Sequence, residues 1–176
     1  MTKIEWTEAT WNPIIGCSVV SPGCTNCYAM RQALRLSENP ATPHYADTVE
    51  MSRGGPVWTG KVALASDKAL TAPLRRRKPT MYFVNSMGDL FHEDVPDEWI
   101  DQVFAVMALA PQHSFQILTK RAARMPTYFS HVNAHGETRH EIIERKAHHF
   151  IEDADLWMTE SWPLPNVWLG VSAEDQ

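Results

Sequence analysis

Short apolar runs alternate along this chain with amphipathic stretches of helical period, and proline or glycine separates most of them. Met81-Tyr82-Phe83-Val84 predicts a buried strand: four apolar residues closed off by Pro79 before them and by Asn85-Ser86 after them. Phe115–Leu118 and Val167–Val171 share that character and predict two more. The Trp- and Thr-rich run from Ile4 to Trp11 predicts a first strand, ended by Asn12-Pro13, and Val62–Ala65 a brief one. The clearest helix is Pro96–Leu109. Pro96 suits a first turn, Asp97 and Glu98 complement the helix dipole, and Trp99, Ile100, Val103, Phe104 and Met107 make one apolar face. Further helices are expected over Cys27–Leu36 with Asn26 as N-cap, over Asp67–Arg75, and over Thr138–Asp153. The last would set Ile143, Ala147, Phe150 and Ile151 on one side. Residues 38–56, with Pro40, Pro43, Gly54, Gly55 and Pro56, predict a long irregular loop.

Strands separated by helices imply an α/β fold with a mainly parallel sheet, either part of a βα barrel or an open doubly wound sheet. In both, function gathers at the C-terminal ends of the strands. Four polar segments fall there: the cysteine-bearing loop after the first strand, Asn85 to Asp89 after Val84, Lys120 and Arg121 after Leu118, and Ser172 with Glu174 after Val171. Residues 126–165 read as a helical, His-rich insertion within a single domain spanning 1–176.

Composition narrows the class. With 176 residues, 44% of them hydrophobic and 21% charged, the chain can bury a core without covalent staples. A net charge of −5 excludes a generally basic nucleic-acid glove. Arg75-Arg76-Arg77-Lys78 is the local exception and keeps nucleic acid open as a partner, although a positive last helical turn explains it as well. No apolar stretch has the length of a membrane span, so no membrane partner is expected. The N-terminal residues Met1 to Trp6 lack the apolar core of a signal peptide, and unpaired thiols suggest a reducing, cytoplasmic setting.

The chain's three cysteines, Cys17, Cys24 and Cys27, are clustered, with six residues between the first two and two between the last pair. An odd count argues against a closed disulfide framework, and clustered thiols are soft metal donors. Three chemistries stay open on spacing alone. One is an iron–sulfur cluster with one iron left for a small ligand. Another is structural zinc with His44 as fourth ligand, which would make the chain a Cys3His binding module without catalysis. The third is three free, buried thiols. His131, His135, His140, His148 and His149 crowd the insertion without a His-Glu-x-x-His pattern.

The string Thr10-Trp11-Asn12-Pro13, Gly16-Cys17, then Ser21 through Ala29, resembles the hallmark of an uncharacterised phage and bacterial protein family that is similar to radical S-adenosylmethionine enzymes. Val57 to Val62, Phe83 to His92, Leu118 to Arg121 and Trp162 to Ser172 extend the resemblance over most of the chain. It implies a partial βα barrel of radical type, with a 4Fe–4S cluster on Cys17, Cys24 and Cys27, and S-adenosylmethionine as cofactor. An unknown substrate, with nucleic acid as one candidate, would lose a hydrogen; a truncated, inactive relative is the other outcome. The cysteine spacing, six then two, differs from the three-then-two of the common radical signature. Family members continue beyond the Gly170-Val171-Ser172 strand, so the chain is expected to be short at its C-terminus, with a protein partner over an exposed sheet edge. In such enzymes a small polar segment holds the amino-acid part of the cofactor, and by their chemistry, not by a matching motif, Asn85, Ser86 and Asp89 would be its equivalents here. Asp89 would meet the cofactor ammonium, or else cap a turn. Tyr28 would cover the cluster, and Lys120 and Arg121 would meet a carboxylate or phosphate at the pocket mouth, or else stand solvated at the surface.

Overall fold

The computed structural model describes residues 5–151 and 161–173; Ile4, Asp153 and Glu174, which figure in the expectations above, lie outside them. In chain order the elements are β1 (Ala9–Trp11), β2 (Ile14–Ile15), α1 (Tyr28–Ser37), β3 (Val49–Ser52), β4 (Gly55–Trp58), β5 (Ala63–Leu64), α2 (Asp67–Leu70), β6 (Met81–Val84), α3 (Asp97–Ala108), β7 (Ser114–Thr119), α4 (Arg124–Phe129), α5 (Arg139–Phe150) and β8 (Val167–Val171). Single 3-10 turns sit at Pro22–Asn26, Pro43–Tyr45 and Ala72–Arg75.

The fold is mixed α/β. Strands β1, β6, β7 and β8 form a parallel sheet in that order, and β2–β5 and β3–β4 are small antiparallel pairs. Register aligns Trp11 with Val84, Val84 with Ile117, and Ile117 with Leu169. Side chains alternate across a strand, so this row, with Tyr82 and Phe115 in the next row but one, faces a single side. There Trp11, Val84, Ile117, Tyr82 and Phe115 meet Ile100, Val103, Phe104 and Met107 of α3 in one core, while Leu169 is 40% exposed. Tyr82 stacks on Phe115 with ring centroids 5.6 Å apart.

The segment after β7 joins that core. Ile143 and Ala147 of α5 are fully buried against it, and α5 docks on α3 through a buried ion pair. Arg139 Nη1 lies 2.9 Å from Asp101 Oδ1, with the two residues 3% and 2% exposed. Tyr128 Oη donates to the same Asp101 oxygen, and the Arg139 guanidinium sits 4.3 Å above the Tyr128 ring. A Thr138–Glu141 capping box starts α5.

Four predicted elements differ in detail. Of the strand expected from Ile4 to Trp11, the described residues are extended only over Ala9–Trp11. Asn26 does not cap α1: it closes the Pro22–Asn26 turn, whose last bond runs from Cys27 N–H to Cys24 O at 3.1 Å, and Cys27 becomes the N-cap. The helix expected over Asp67–Arg75 breaks into α2 and a 3-10 turn, because Pro73 has no N–H to give to Ala69 O. Trp11 Nε1 takes that carbonyl at 3.0 Å. The loop predicted over 38–56 holds the 3-10 turn at Pro43–Tyr45 and the hairpin β3–β4. Only Val49 and Trp58 of that hairpin are buried, so it carries no alternating pattern to read. Among the described residues no helix is long and apolar enough to cross a membrane.

Candidate functional site

Two loops pressed together at the C-terminal ends of β1 and β6 make the floor of the site. Asn12, just past β1, accepts from Ser86 Oγ and Met87 N, both at 3.0 Å, and so ties the turn after β6 to the first strand. Asn85 adopts φ 58°, a left-handed conformation that asparagine tolerates better than most residues. Its N–H donates to Trp11 O at 2.8 Å and its Oδ1 accepts from Ile14 N at 3.2 Å. Its Nδ2 is buried with no hydrogen-bond partner. Close backbone approach requires glycine twice. A Cβ on Gly88 would stand 2.9 Å from Ile14 O, and one on Gly16, at φ 95°, 2.0 Å from Lys61 O. Cys17 follows Gly16 directly, so its position is set by this contact.

All three thiols line one cavity of about 230 Å³, and Asn85, Ser86, Asp89, Lys120, Arg121 and Ser172 line it with them. Cys17 comes from the loop after β2, and Cys24 and Cys27 from the Pro22–Asn26 turn and the cap of α1. Tyr28 is on the rim, its hydroxyl donating to Ser86 O at 3.1 Å. The thiols border the cavity without forming a ligating group: among the described residues no set of three or more His, Cys, Asp or Glu side chains is arranged to hold a metal ion. By donor chemistry the set suits a soft metal centre, since three thiols with no carboxylate among them favour zinc or iron–sulfur over hard cations.

A charge network holds the cysteine loop against β7. Arg121 donates to Glu93 Oε2 at 2.5 Å, to Asp89 Oδ2 at 3.1 Å and to Ser18 Oγ at 2.6 Å. Its Nη1 also approaches Cys17 Sγ at 3.6 Å. Asp89 is nearly saturated within the protein. Oδ1 accepts from Phe91 N and Thr119 Oγ1, and Oδ2 from Lys120 N and Arg121. A ligand ammonium would have to displace one of these donors, and the bond to Phe91 N is the turn-capping role. His92 is fully buried. Its Nδ1 accepts from Asp94 N, so Nε2 carries the proton it gives to Ser18 Oγ at 2.9 Å. Ser18 Oγ in turn donates to Glu93 Oε1 at 3.1 Å.

The electrostatics differ among the thiols. Burial pushes the Cys17 thiol up to about 11, only partly opposed by the Arg121 charge. Burial also acts to raise Cys24, but hydrogen bonds from Ser21 and Val20, with the Lys120 charge, outweigh it and lower the group. Lys120 Nζ donates to Ser21 Oγ at 3.2 Å, close to that thiol. Burial depresses His92, reinforced by the Arg121 charge, which agrees with the neutral tautomer its hydrogen bonds require.

Of the residues singled out from the sequence, Cys17, Cys24, Cys27, Asn85, Ser86, Asp89, Lys120 and Arg121 come together in this cavity. His44 does not: it sits in the Pro43–Tyr45 turn, its ring 4.9 Å from that of Tyr45, outside the cavity lining. Ser18, Glu93, His92 and Thr119 were missed. Their partners lie far away in the chain, and only Asn12, beside the turn signal Asn-Pro, had a local mark.

A family model matches residues 1–176, and its description is a protein of unknown function, DUF5131. No curated protein and no solved structure matches the chain.

Proposed function

This chain belongs to the DUF5131 family, and we propose that its three thiols ligate a 4Fe–4S cluster at which S-adenosylmethionine is bound and reductively cleaved. The observation that carries the reading is the gathering of Cys17, Cys24 and Cys27 around one cavity at the C-terminal ends of a parallel sheet. The order β1-β6-β7-β8 also runs without the reversal of a doubly wound sheet, which favours an arc of βα barrel. Three thiols leave one iron of such a cluster free for a chelating ligand. When bound, the cluster supplies single electrons for cleavage of the cofactor and hydrogen abstraction from a substrate.

The chain's own residues have distinct tasks. Cys24, already the more acidic of the two shifted thiols, has Lys120 beside it to offset the negative charge of bound thiolates. Arg121 does the same for Cys17 and pins the loop through Ser18. Asp89 and Glu93 fix the guanidinium in place, so its charge is aimed before any ligand arrives. Asn85 offers its unpartnered Nδ2–H to the cofactor carboxylate, with Ser86 beside it. Tyr28, on the rim, limits water access.

The test is iron, acid-labile sulfide and zinc content of protein purified without oxygen, with its visible spectrum before and after adding S-adenosylmethionine. The expected result is about four irons with matching sulfide per chain, and an absorption that responds to the cofactor. Cys17→Ala should lose the iron while keeping its far-UV circular dichroism. One tightly held zinc without sulfide would overturn the reading in favour of a structural site.

A further inference from the structure

The face of the sheet turned away from α3 carries a second cavity, of about 240 Å³, lined by Trp6, Gln116, Ile117, Leu118, Trp168, Leu169 and Gly170. Register accounts for it. Gln116 lies opposite Trp168 and Leu118 opposite Gly170, on the reverse of the core-facing Phe115 and Ile117. Gly170 lets the Leu118 side chain lie over it, because a Cβ there would stand 2.7 Å from Leu118 Cδ2. Trp6 bounds the cavity elsewhere, packed edge-on to Phe83 at 4.8 Å. The two indoles are half exposed, at 45% for Trp6 and 56% for Trp168.

Among the described residues no charged side chain lines this cavity, which suits an occupant that is neutral where it docks. Gln116 Oε1 is nonetheless buried without a hydrogen-bond partner. Two aromatic walls and one unpaired acceptor suit a flat ring that carries an N–H donor. The cavity also adjoins the cysteines: Leu118 lines both compartments, and Phe83, which borders the first, touches Trp6.

We propose that this compartment seats a nucleobase, stacked on Trp6 and Trp168, with an amino or ring N–H donating to Gln116 Oε1. The rest of the nucleoside then extends past Leu118 towards the cysteine cavity. That the nucleoside is the substrate rests on the cluster reading above; that it binds does not.

The test is fluorine NMR of the full chain grown with 5-fluorotryptophan, titrated with guanosine and with cytidine, neither of which is part of S-adenosylmethionine. Trp6→Phe and Trp168→Phe assign two of the seven tryptophan resonances. Both nucleosides should shift those two saturably. Gln116→Leu should weaken binding about fivefold, the worth of one net hydrogen bond, and Trp168→Ala roughly tenfold through lost stacking. No saturable shift, shifts confined to other tryptophans, or an equal response to cyclohexanol overturns the proposal. Metal analysis separates the two readings. Nucleoside binding by protein that holds zinc sinks the cluster and leaves this seat standing, and an iron–sulfur protein whose Trp6 and Trp168 stay silent does the reverse.

Discussion

Asp89→Asn keeps the shape of a side chain that takes four hydrogen bonds and removes the charge that faces Arg121. In the native protein Oδ1 accepts from Phe91 N at 3.0 Å and Thr119 Oγ1 at 2.7 Å, and Oδ2 from Lys120 N at 3.0 Å and Arg121 Nη1 at 3.1 Å. An amide in the same place turns one acceptor into a donor. Its better orientation sets the NH2 towards Thr119, whose hydroxyl can accept, and leaves Phe91 N–H and the Thr119 hydroxyl proton without their acceptor. The ion pair is lost in either orientation, with Asp89 and Arg121 side chains only 8% and 10% exposed. Breaking a buried pair costs about 3–5 kcal/mol. Arg121 keeps Glu93 and Ser18 as partners, so the loss should fall at the lower end, about 3 kcal/mol. A chain of this size has a total stability on the order of 10 kcal/mol, so the variant should fold. Urea unfolding followed by far-UV circular dichroism measures the loss. A cycle with Arg121→Met should return a coupling above about 1 kcal/mol. A loss under about 1 kcal/mol, or additive effects in the cycle, would refute the view that this pair holds the site.

Arg139→Met should cost about 3–5 kcal/mol, because Asp101 is left buried with only Tyr128 Oη to bond; adding Asp101→Leu should recover much of it, read as the change in thermal midpoint. Gly16→Ala should cost more than about 2 kcal/mol, since its Cβ meets Lys61 O at a strained φ, whereas Gly136→Ala, at φ 82° in open space, should cost about 1 kcal/mol in the same urea assay. Hydrogen bonding to Arg121 lowers Glu93 from 4.5 to about 2, so its stabilisation is present above pH 4.5 and is lost as pH falls through that window. Wild type should therefore exceed Glu93→Gln at pH 7, by under about 1 kcal/mol because the carboxylate is 58% exposed, and the two should converge only as pH falls to about 2.

Much of the scaffold is written locally. Met81–Val84 and Val167–Val171 are strands with the bounds that their apolar runs set, and α3 differs from its predicted span only in that Pro96 and Leu109 serve as its caps. Hairpin β3–β4 was illegible because three of the four β3 residues are exposed and β4 contains Gly55-Pro56. The segment after β7 reads as polar because its buried polar residues are paired: Arg139 looks like a surface charge until Asp101, far back in the chain, is set against it.

By itself the sequence determined which residue types stand at the strand ends: three clustered thiols, Asn85-Ser86 to Asp89, and Lys120-Arg121. Those follow from apolar runs and the turn residues that end them, which are properties of neighbours in the chain. Only the tertiary structure decided what these residues touch. Arg121 reaches Ser18, Glu93 and Asp89, Asn12 reaches Ser86, and His44 stays apart from the cysteine cavity. It also decided that Trp6, Gln116 and Trp168 share a cavity. The reason is geometric: parallel pairing brings together strands separated by whole crossover segments, and no local pattern encodes the register that sets one side chain opposite another.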